Sequence, residues 1–328
     1  MTPASPSEID VRQTWTRATL GPRDWLVPVS PACGLELDAA LARLRETPRP
    51  LETLSPAGFD LPACVALMDR VRDQLTHGEG LVVLDRLPVE RYSEHENRQL
   101  AWLLAAMLGP VVSQKWDGTR VYDVKDSGQA LGYGVRRSVT NLEQPFHTDG
   151  GWLSLTPGLV GLFCLDSAEE GGMSRFVSLA TAHERLRERH PELLERLYRA
   201  FWWDRQAEHA PEDTRVSAHP VFARDGDGLA ARYYEDYVVK GHALAGEPLD
   251  AAGTAALAAL REVIDSPELW VEFRIEKGQF QYLNNRRFAH CRTGFADGHG
   301  ERRRHMLRFW NRKEGTTHLE GQCRNGAT

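Results

Sequence analysis

His147, Asp149 and His290 are the residues of this chain whose types could hold a metal ion. Two imidazoles and one carboxylate are the donor set of the face that carries non-haem iron(II), and three protein ligands on one side leave positions open for other molecules. The His147-Thr148-Asp149 spacing says little alone, because 12 His and 46 acids in 328 residues give about two His-x-acid matches by chance. Five occur: His77/Glu79, His147/Asp149, His190/Glu192, His299/Glu301 and His318/Glu320. His77 ends a helical pattern, His190 sits at the Pro191 break, and His299 and His318 fall in Gly-rich or polar loops, all ordinary places for a solvated histidine. Phe146–Trp152 instead reads as a strand end, where side chains two apart share a face, so His147 and Asp149 project together and Thr148 points away. Such a pair also suits a structural hydrogen bond, and the motif by itself leaves both readings open.

A second feature lies near the C-terminus. In Arg304-His-Met-Leu-Arg308-Phe-Trp310, period-two alternation places Arg304, Met306, Arg308 and Trp310 on one face and His305, Leu307 and Phe309 on the other. Both faces are largely apolar, so both should be covered. Two guanidiniums on a covered strand require carboxylates to meet them. Internal Asp or Glu can supply these as salt bridges, and small-molecule acids can supply them as ligands.

The elements that must position these residues fit one ordinary globular chain. Hydrophobic residues are 41% and charged residues 26%, and a formal charge of −6 offers no basic stripe for nucleic acid. The apolar stretches Ala101–Leu108 and Leu159–Leu165 are far below the roughly 18 residues a membrane span needs. Met1–Asp10 has no signal-peptide pattern, and five scattered Cys without a CxxC fit a reducing compartment, so a cytoplasmic protein is expected. Walker A, GxGxxG, GxSxG and HExxH are all absent.

The first 110 residues read as a mostly helical layer: helical patterns over Leu35–Arg45, Leu61–Leu75 and Glu94–Leu108, with a buried strand over Gly80–Leu84. Residues 111–180 and 266–312 carry short β-prone runs: Phe146–Trp152, Leu159–Leu165, Ser174–Leu179, Val271–Ile275, Gln279–Asn284 and His305–Trp310. They suggest a sandwich or barrel. Between them, residues 181–265 read as a helical lid, starting from a capping box at Thr181–Glu184, breaking at Pro191 and resuming at Asp250 with Leu257, Leu260, Val263 and Ile264 on one face. Residues 313–328 form a tail. The expected class is mixed α/β (α+β) in a single domain.

Four separated motifs make the reading specific: Phe146-His-Thr-Asp-Gly150, Gly171-Gly-Met-Ser174, Asn285-Arg286-x-x-x-His290-x-Arg292 and Arg304-x-x-x-Arg308. Over about residues 80–312 the chain resembles the taurine dioxygenase and clavaminate synthase superfamily of iron(II) and 2-oxoglutarate-dependent oxygenases. The resemblance implies a double-stranded β-helix, or jelly-roll, core with flanking helices. It implies His147, Asp149 and His290 as ligands of Fe(II), and Arg304 with Ser174 on the distal carboxylate of 2-oxoglutarate. It implies Arg308 on an acidic group of the substrate, and Asn285 and Arg286 as supports behind the ligands. Gln144 is expected at the pocket mouth, and Glu235 or Asp236 in the insert to hold an amine.

The implied reaction takes O2 and 2-oxoglutarate, releases succinate and CO2, and hydroxylates an unactivated carbon of a small acidic or amino-acid-like substrate. The carboxylate of Asp149 disfavours halogenation, since no position is vacated for chloride. Desaturation, epoxidation or cyclisation in the same site is an alternative outcome. The rival from another class is a non-oxidative metal-binding jelly roll, acting as a hydrolase, an isomerase or a small-acid sensor.

Overall fold

Helix-start signals and strand alternation account for most of the elements. The computed structural model describes residues 13–225, 228–298, 303–313 and 315–320. Met1–Asp10, the His299/Glu301 pair, Cys323 and most of the expected tail lie outside the described residues. The chain opens with α1 (Pro22–Trp25), β1 (Leu26–Pro28), α2 (Pro31–Glu46), α3 (Pro62–Thr76), β2 (Leu81–Asp85) and α4 (Glu94–Met107). Ser30 caps α2, Pro62 begins α3, and Ser93 and Glu96 close a reciprocal capping box on α4.

Next come β3 (Tyr122–Val124), β4 (Gln144–His147), β5 (Leu159–Asp166), β6 (Glu170–Gly171) and β7 (Ser174–Ser178). The insert holds α5 (Leu179–Arg189), α6 (Pro191–Leu197), β8 (Phe201–Asp204), β9 (Val216–His219), β10 (Phe222–Asp225), β11 (Gly228–Ala231), α7 (Glu235–Ala245) and α8 (Ala251–Ile264). The core resumes with β12 (Trp270–Phe273), β13 (Phe280–Asn284), β14 (Phe288–Arg292), β15 (Phe295–Ala296) and β16 (His305–Asn311).

Two sheets make the jelly roll. The larger runs β1-β2-β13-β5-β16-β3 and the smaller β12-β7-β14-β4. Alternation sorts the side chains of the larger sheet. Val82, Leu84, Phe163, Leu307 and Phe309 pack under α2, α3 and α4, while Leu81, Val83, Val160 and Trp310 join the core shared with the smaller sheet and the insert. Gly161 on β5 lies opposite Tyr282 on β13, and a Cβ there would stand 2.4 Å from the tyrosine ring, so close cross-strand packing demands glycine.

The insert departs from the expected helical lid. It also contains two antiparallel hairpins, β8 with β9 and β10 with β11. Its first helix begins earlier than the Thr181–Glu184 box, because the Ser178 hydroxyl accepts from Thr181 N–H while the Thr181 hydroxyl donates to the Trp15 carbonyl. The cysteines are less scattered than their spacing suggests, since Cys33 of α2 and Cys64 of α3 meet with sulfurs 2.7 Å apart. No described helix is long and apolar enough to cross a membrane.

Candidate active site

Strand pairing within the smaller sheet sets the two histidines side by side. His147 at the end of β4 is the cross-strand partner of His290 on β14, with ring centroids 4.3 Å apart. Asp149 differs from the sequence expectation: β4 ends at His147, and Asp149 occupies the following turn. The strand stops because Thr148 turns to the insert, its N–H donating to the Tyr233 carbonyl (2.7 Å) and its hydroxyl accepting from Tyr233 N–H (3.0 Å). Gly150 completes the turn at φ +64°, where a Cβ would also press on Pro157.

The turn nevertheless delivers the carboxylate to the histidines. One donor atom from each of His147, Asp149 and His290 lies within 4.8 Å of the others, and all three residues are buried. Asn285 grips the turn's backbone, accepting from Asp149 N–H (2.8 Å) and donating to the carbonyls of Asp149 (2.9 Å) and Pro157 (3.1 Å). Trp310 Nε1 donates to Asp149 Oδ2 (2.9 Å) and Arg308 Nη1 to Oδ1 (3.1 Å). Burial alone would raise the Asp149 carboxyl, but Arg308, His147 and His290 outweigh it and hold the group well below the usual carboxylate range.

These protonation states suit a cation. Burial, then His147, pushes His290 down to about 3, so its imidazole is neutral at physiological pH. Its Nδ1 is buried without a partner. His147 Nδ1 lies 2.9 Å from the Pro145 carbonyl, which selects the tautomer with its lone pair on Nε2, and the Gln144 amide stands 2.9 Å from that Nε2. A second donor group, Glu94, Asp123 and His305, is already occupied: Arg98 bonds both carboxylates and His305 bonds Asp123.

Arg304 shares a cavity of about 30 Å³ with Ser174, His290 and Arg308. Burial pushes its guanidinium down to about 10, and it forms no ion pair among the described residues. Among the described residues Nη1 is buried and unpaired, while Nη2 approaches the Met306 sulfur (3.2 Å). A buried cation without its anion is a site for one from outside. Arg308 is already partly satisfied, because besides Asp149 it donates from Nε to Gln114 Oε1 (2.7 Å), with Nη2 left unpaired.

Other expected site residues are placed differently. Arg286 is turned away from the metal face, 40% exposed and paired with Asp225 of β10, because β14's entry turn abuts the insert hairpin. Glu235 starts α7 and is drawn to Arg261 of α8 (2.7 Å). Asp236 lies 3.5 Å from Arg137 and lines an outer chamber of about 350 Å³ with Tyr133, Asp204 and Lys240. Gln144 lines the Arg304 cavity and a second one, of about 20 Å³, that holds Asp149. Sequence reasoning missed Gln114 and Arg136, which reach the site from irregular segments, and Glu208, which reaches it from the insert. No local spacing marks them.

A jelly roll with a buried two-histidine, one-carboxylate end beside an unpaired guanidinium belongs to the class of non-haem iron(II) oxygenases that take a 2-oxo acid. The family model described as taurine catabolism dioxygenase TauD, TfdA family matches residues 46–310, and the chain belongs to this family. It is accordingly a 2-oxoglutarate-dependent dioxygenase that uses Fe(II), 2-oxoglutarate and O2, which displaces the hydrolase, isomerase and sensor readings. FR-33289 synthase of Streptomyces rubellomurinus (strain ATCC 31215) is 26% identical over 306 residues, 91% of this chain and 88% of that protein. The fold matches asparagine oxygenase, solved with Fe(II), 2S,3S-3-hydroxyasparagine and succinate, at TM-score 0.65 and 17% identity over 88% of this chain and 93% of that one. It also matches the oxygenase OrfP, solved with Fe, succinate and (3S)-hydroxy-L-Arg, at TM-score 0.65 and 15% identity over 88% and 94%.

Proposed function

We propose that this enzyme hydroxylates an unactivated carbon of a small acidic, amino-acid-like molecule, converting 2-oxoglutarate and O2 to succinate and CO2. The observation that carries the proposal is the pair of buried guanidiniums, Arg304 and Arg308, beside the His147, Asp149 and His290 face, each with a nitrogen that no group among the described residues meets. In this reading the three residues of the face hold Fe(II), Arg304 and Ser174 take the distal carboxylate of 2-oxoglutarate, and Arg308 takes an acid group of the substrate. Iron with the bound keto acid supplies activation of dioxygen for attack on a carbon–hydrogen bond.

The protein's share is placement and exclusion of water. Asn285 and Thr148 fix the backbone on either side of the Asp149 carboxylate, and Trp310 and Arg308 fix its oxygens. Trp152, Tyr234 and Tyr237 wall the cavity next to it. The hydroxylated amino acids bound in the two solved structures support a substrate of that kind, and Asp236, whose pairing with Arg137 is long at 3.5 Å, faces the outer chamber where an ammonium group could compete for it.

The test is an anaerobic titration with Fe(II) and then 2-oxoglutarate, followed by visible absorption, on wild type and Arg304→Ala. Wild type should develop a chelation band that the variant weakens. Small acids and amino acids are then screened by succinate release, with product mass distinguishing oxygen insertion from the hydrogen loss of desaturation or cyclisation. Tight iron binding with no band and no succinate would refute the proposal.

A further inference from the structure

Arg136 is a buried arginine with no part in the reaction as described so far. It precedes β4 on an irregular segment and is 6% exposed. Its Nη2 meets Glu208 (2.6 Å) and the Gln114 carbonyl (2.9 Å), whereas Nε and Nη1 are buried with no partner among the described residues. Unmet N–H groups on a buried cation are costly, and such groups on a cavity wall select for a ligand that satisfies them.

Arg308 repeats the pattern. Gln114 joins the two, giving its backbone carbonyl to Arg136 and its side-chain oxygen to Arg308. Both guanidiniums lie over the Tyr122 ring, at 5.5 Å and 4.8 Å, and each also covers a tryptophan, Trp152 for Arg136 and Trp310 for Arg308. Both line the cavity that contains His147 and Asp149. Arg136 and Arg308, which among the described residues leave three guanidinium nitrogens unpaired (Arg136 Nε and Nη1 and Arg308 Nη2), thus line one aromatic-walled space next to the metal face.

We propose that Arg136 and Arg308 form a two-guanidinium subsite for the oxyanion head group of the substrate. The proposal rests on the oxygenase reading above and deepens it, by assigning Arg136 to substrate recognition and by requiring an ionised acid with at least two oxygens. Guanidinium forks match carboxylates and tetrahedral oxyanions, and two forks fix such a group more tightly than one. Glu208 acts as a counterweight, holding Arg136 in place while cancelling part of its charge. Tyr234 and Tyr237 line both this cavity and the outer chamber of about 350 Å³, so the chamber that adjoins the head-group cavity has room for the rest of the substrate.

The test uses calorimetry on anaerobic protein loaded with Fe(II) and 2-oxoglutarate, so that the keto-acid site is filled. The probes are acetate, methanesulfonate and methylphosphonate, with acetamide as the uncharged control. Wild type should bind oxyanions and not acetamide, and the order among the three probes identifies the head group. Arg136→Gln should weaken oxyanion binding on the order of tenfold to a hundredfold, and Arg136→Lys should recover part of it. Glu208→Gln, which keeps an acceptor for Trp116 N–H and removes the competing charge, should tighten binding severalfold.

Unchanged oxyanion affinity in Arg136→Gln, or equal binding of acetate and acetamide by wild type, overturns the subsite. If Arg136→Gln does not fold, Glu208→Gln decides, and anything but tightening overturns the proposal. Failure of wild type to take up Fe(II) or 2-oxoglutarate at the loading step would instead refute the oxygenase reading.

Discussion

Replacing Arg304 by Met should make the ligand-free protein more stable and the enzyme unable to hold its keto acid. Arg304 is 2% exposed, and burial brings its guanidinium to about 10 from an ordinary 12.5. The charged form is the protonated one, so a lowered native value means the fold holds the charge less readily than the unfolded chain does. The penalty is about 3 kcal/mol, in full force at neutral pH and lost only as pH rises past both values. Methionine is uncharged and fills similar space beside Met306 and Phe295, so little cavity penalty offsets the gain. Metal-free Arg304→Met should therefore melt higher than wild type by about 4 °C for a chain of this length. Losing a buried charge-assisted pair costs about 2–5 kcal/mol, so 2-oxoglutarate affinity should fall roughly 30-fold or more. Thermal unfolding of metal-free protein and anaerobic calorimetry with Fe(II) and 2-oxoglutarate read the two effects separately. A variant that melts lower than wild type, or keeps its 2-oxoglutarate affinity, would refute the assignment of Arg304 as an anion-binding site.

Asn285→Ala removes three hydrogen bonds from the Asp149 turn, so urea unfolding should show a loss of about 3 kcal/mol and Fe(II) titration a tenfold to hundredfold weaker site. Asp149→Ala strands Arg308 Nη1 and Trp310 Nε1 in the core, and should cost on the order of 3 kcal/mol in addition to abolishing iron uptake, whereas Asp149→Asn should keep most of the stability. Gly161→Ala drives a methyl group into the Tyr282 ring and should lower the urea midpoint by an equivalent of about 1–3 kcal/mol. Glu235→Gln should leave the KM of any substrate unchanged and cost about 0.5 kcal/mol or less, since Glu235 is occupied by the half-exposed Arg261; a raised KM would return it to the substrate site.

What the sequence discloses is what one element determines alone. Alternation along Arg304–Trp310 separated Arg304, Arg308 and Trp310 from Leu307 and Phe309, and β16 with the residue before it keeps that division, because one face meets the helices and the other the site. The boundaries of β5, β7, β13 and α4 follow from apolar runs and capping signals in the same way. β14 escaped notice although it carries His290. Phe288–Arg292 is buried along its whole length between β4 and β7, and a strand covered on both faces has no period to read. The insert hairpins escaped for a related reason: strands of four residues exist through their partners rather than through any pattern of their own.

The same division runs through the site. Residue type brought His147, Asp149 and His290 forward as candidates and the family resemblance added Arg304, and each stands at a fixed place on or beside a strand. Arg136, Gln114 and Glu208 come from two irregular segments and the insert, and only the packing of these onto the barrel end brings them together. Their chemistry is one of mutual satisfaction. Gln114 links two arginines, Glu208 covers one nitrogen and Asp149 another, and three remain uncovered. A barrel that needed these arginines only for packing would gain by covering the remaining nitrogens with protein acceptors. Leaving them bare beside an aromatic wall makes sense when the last acceptors arrive with the substrate, and it ties recognition of the substrate to Arg136, which the family motifs do not contain, as well as to Arg308, which they do.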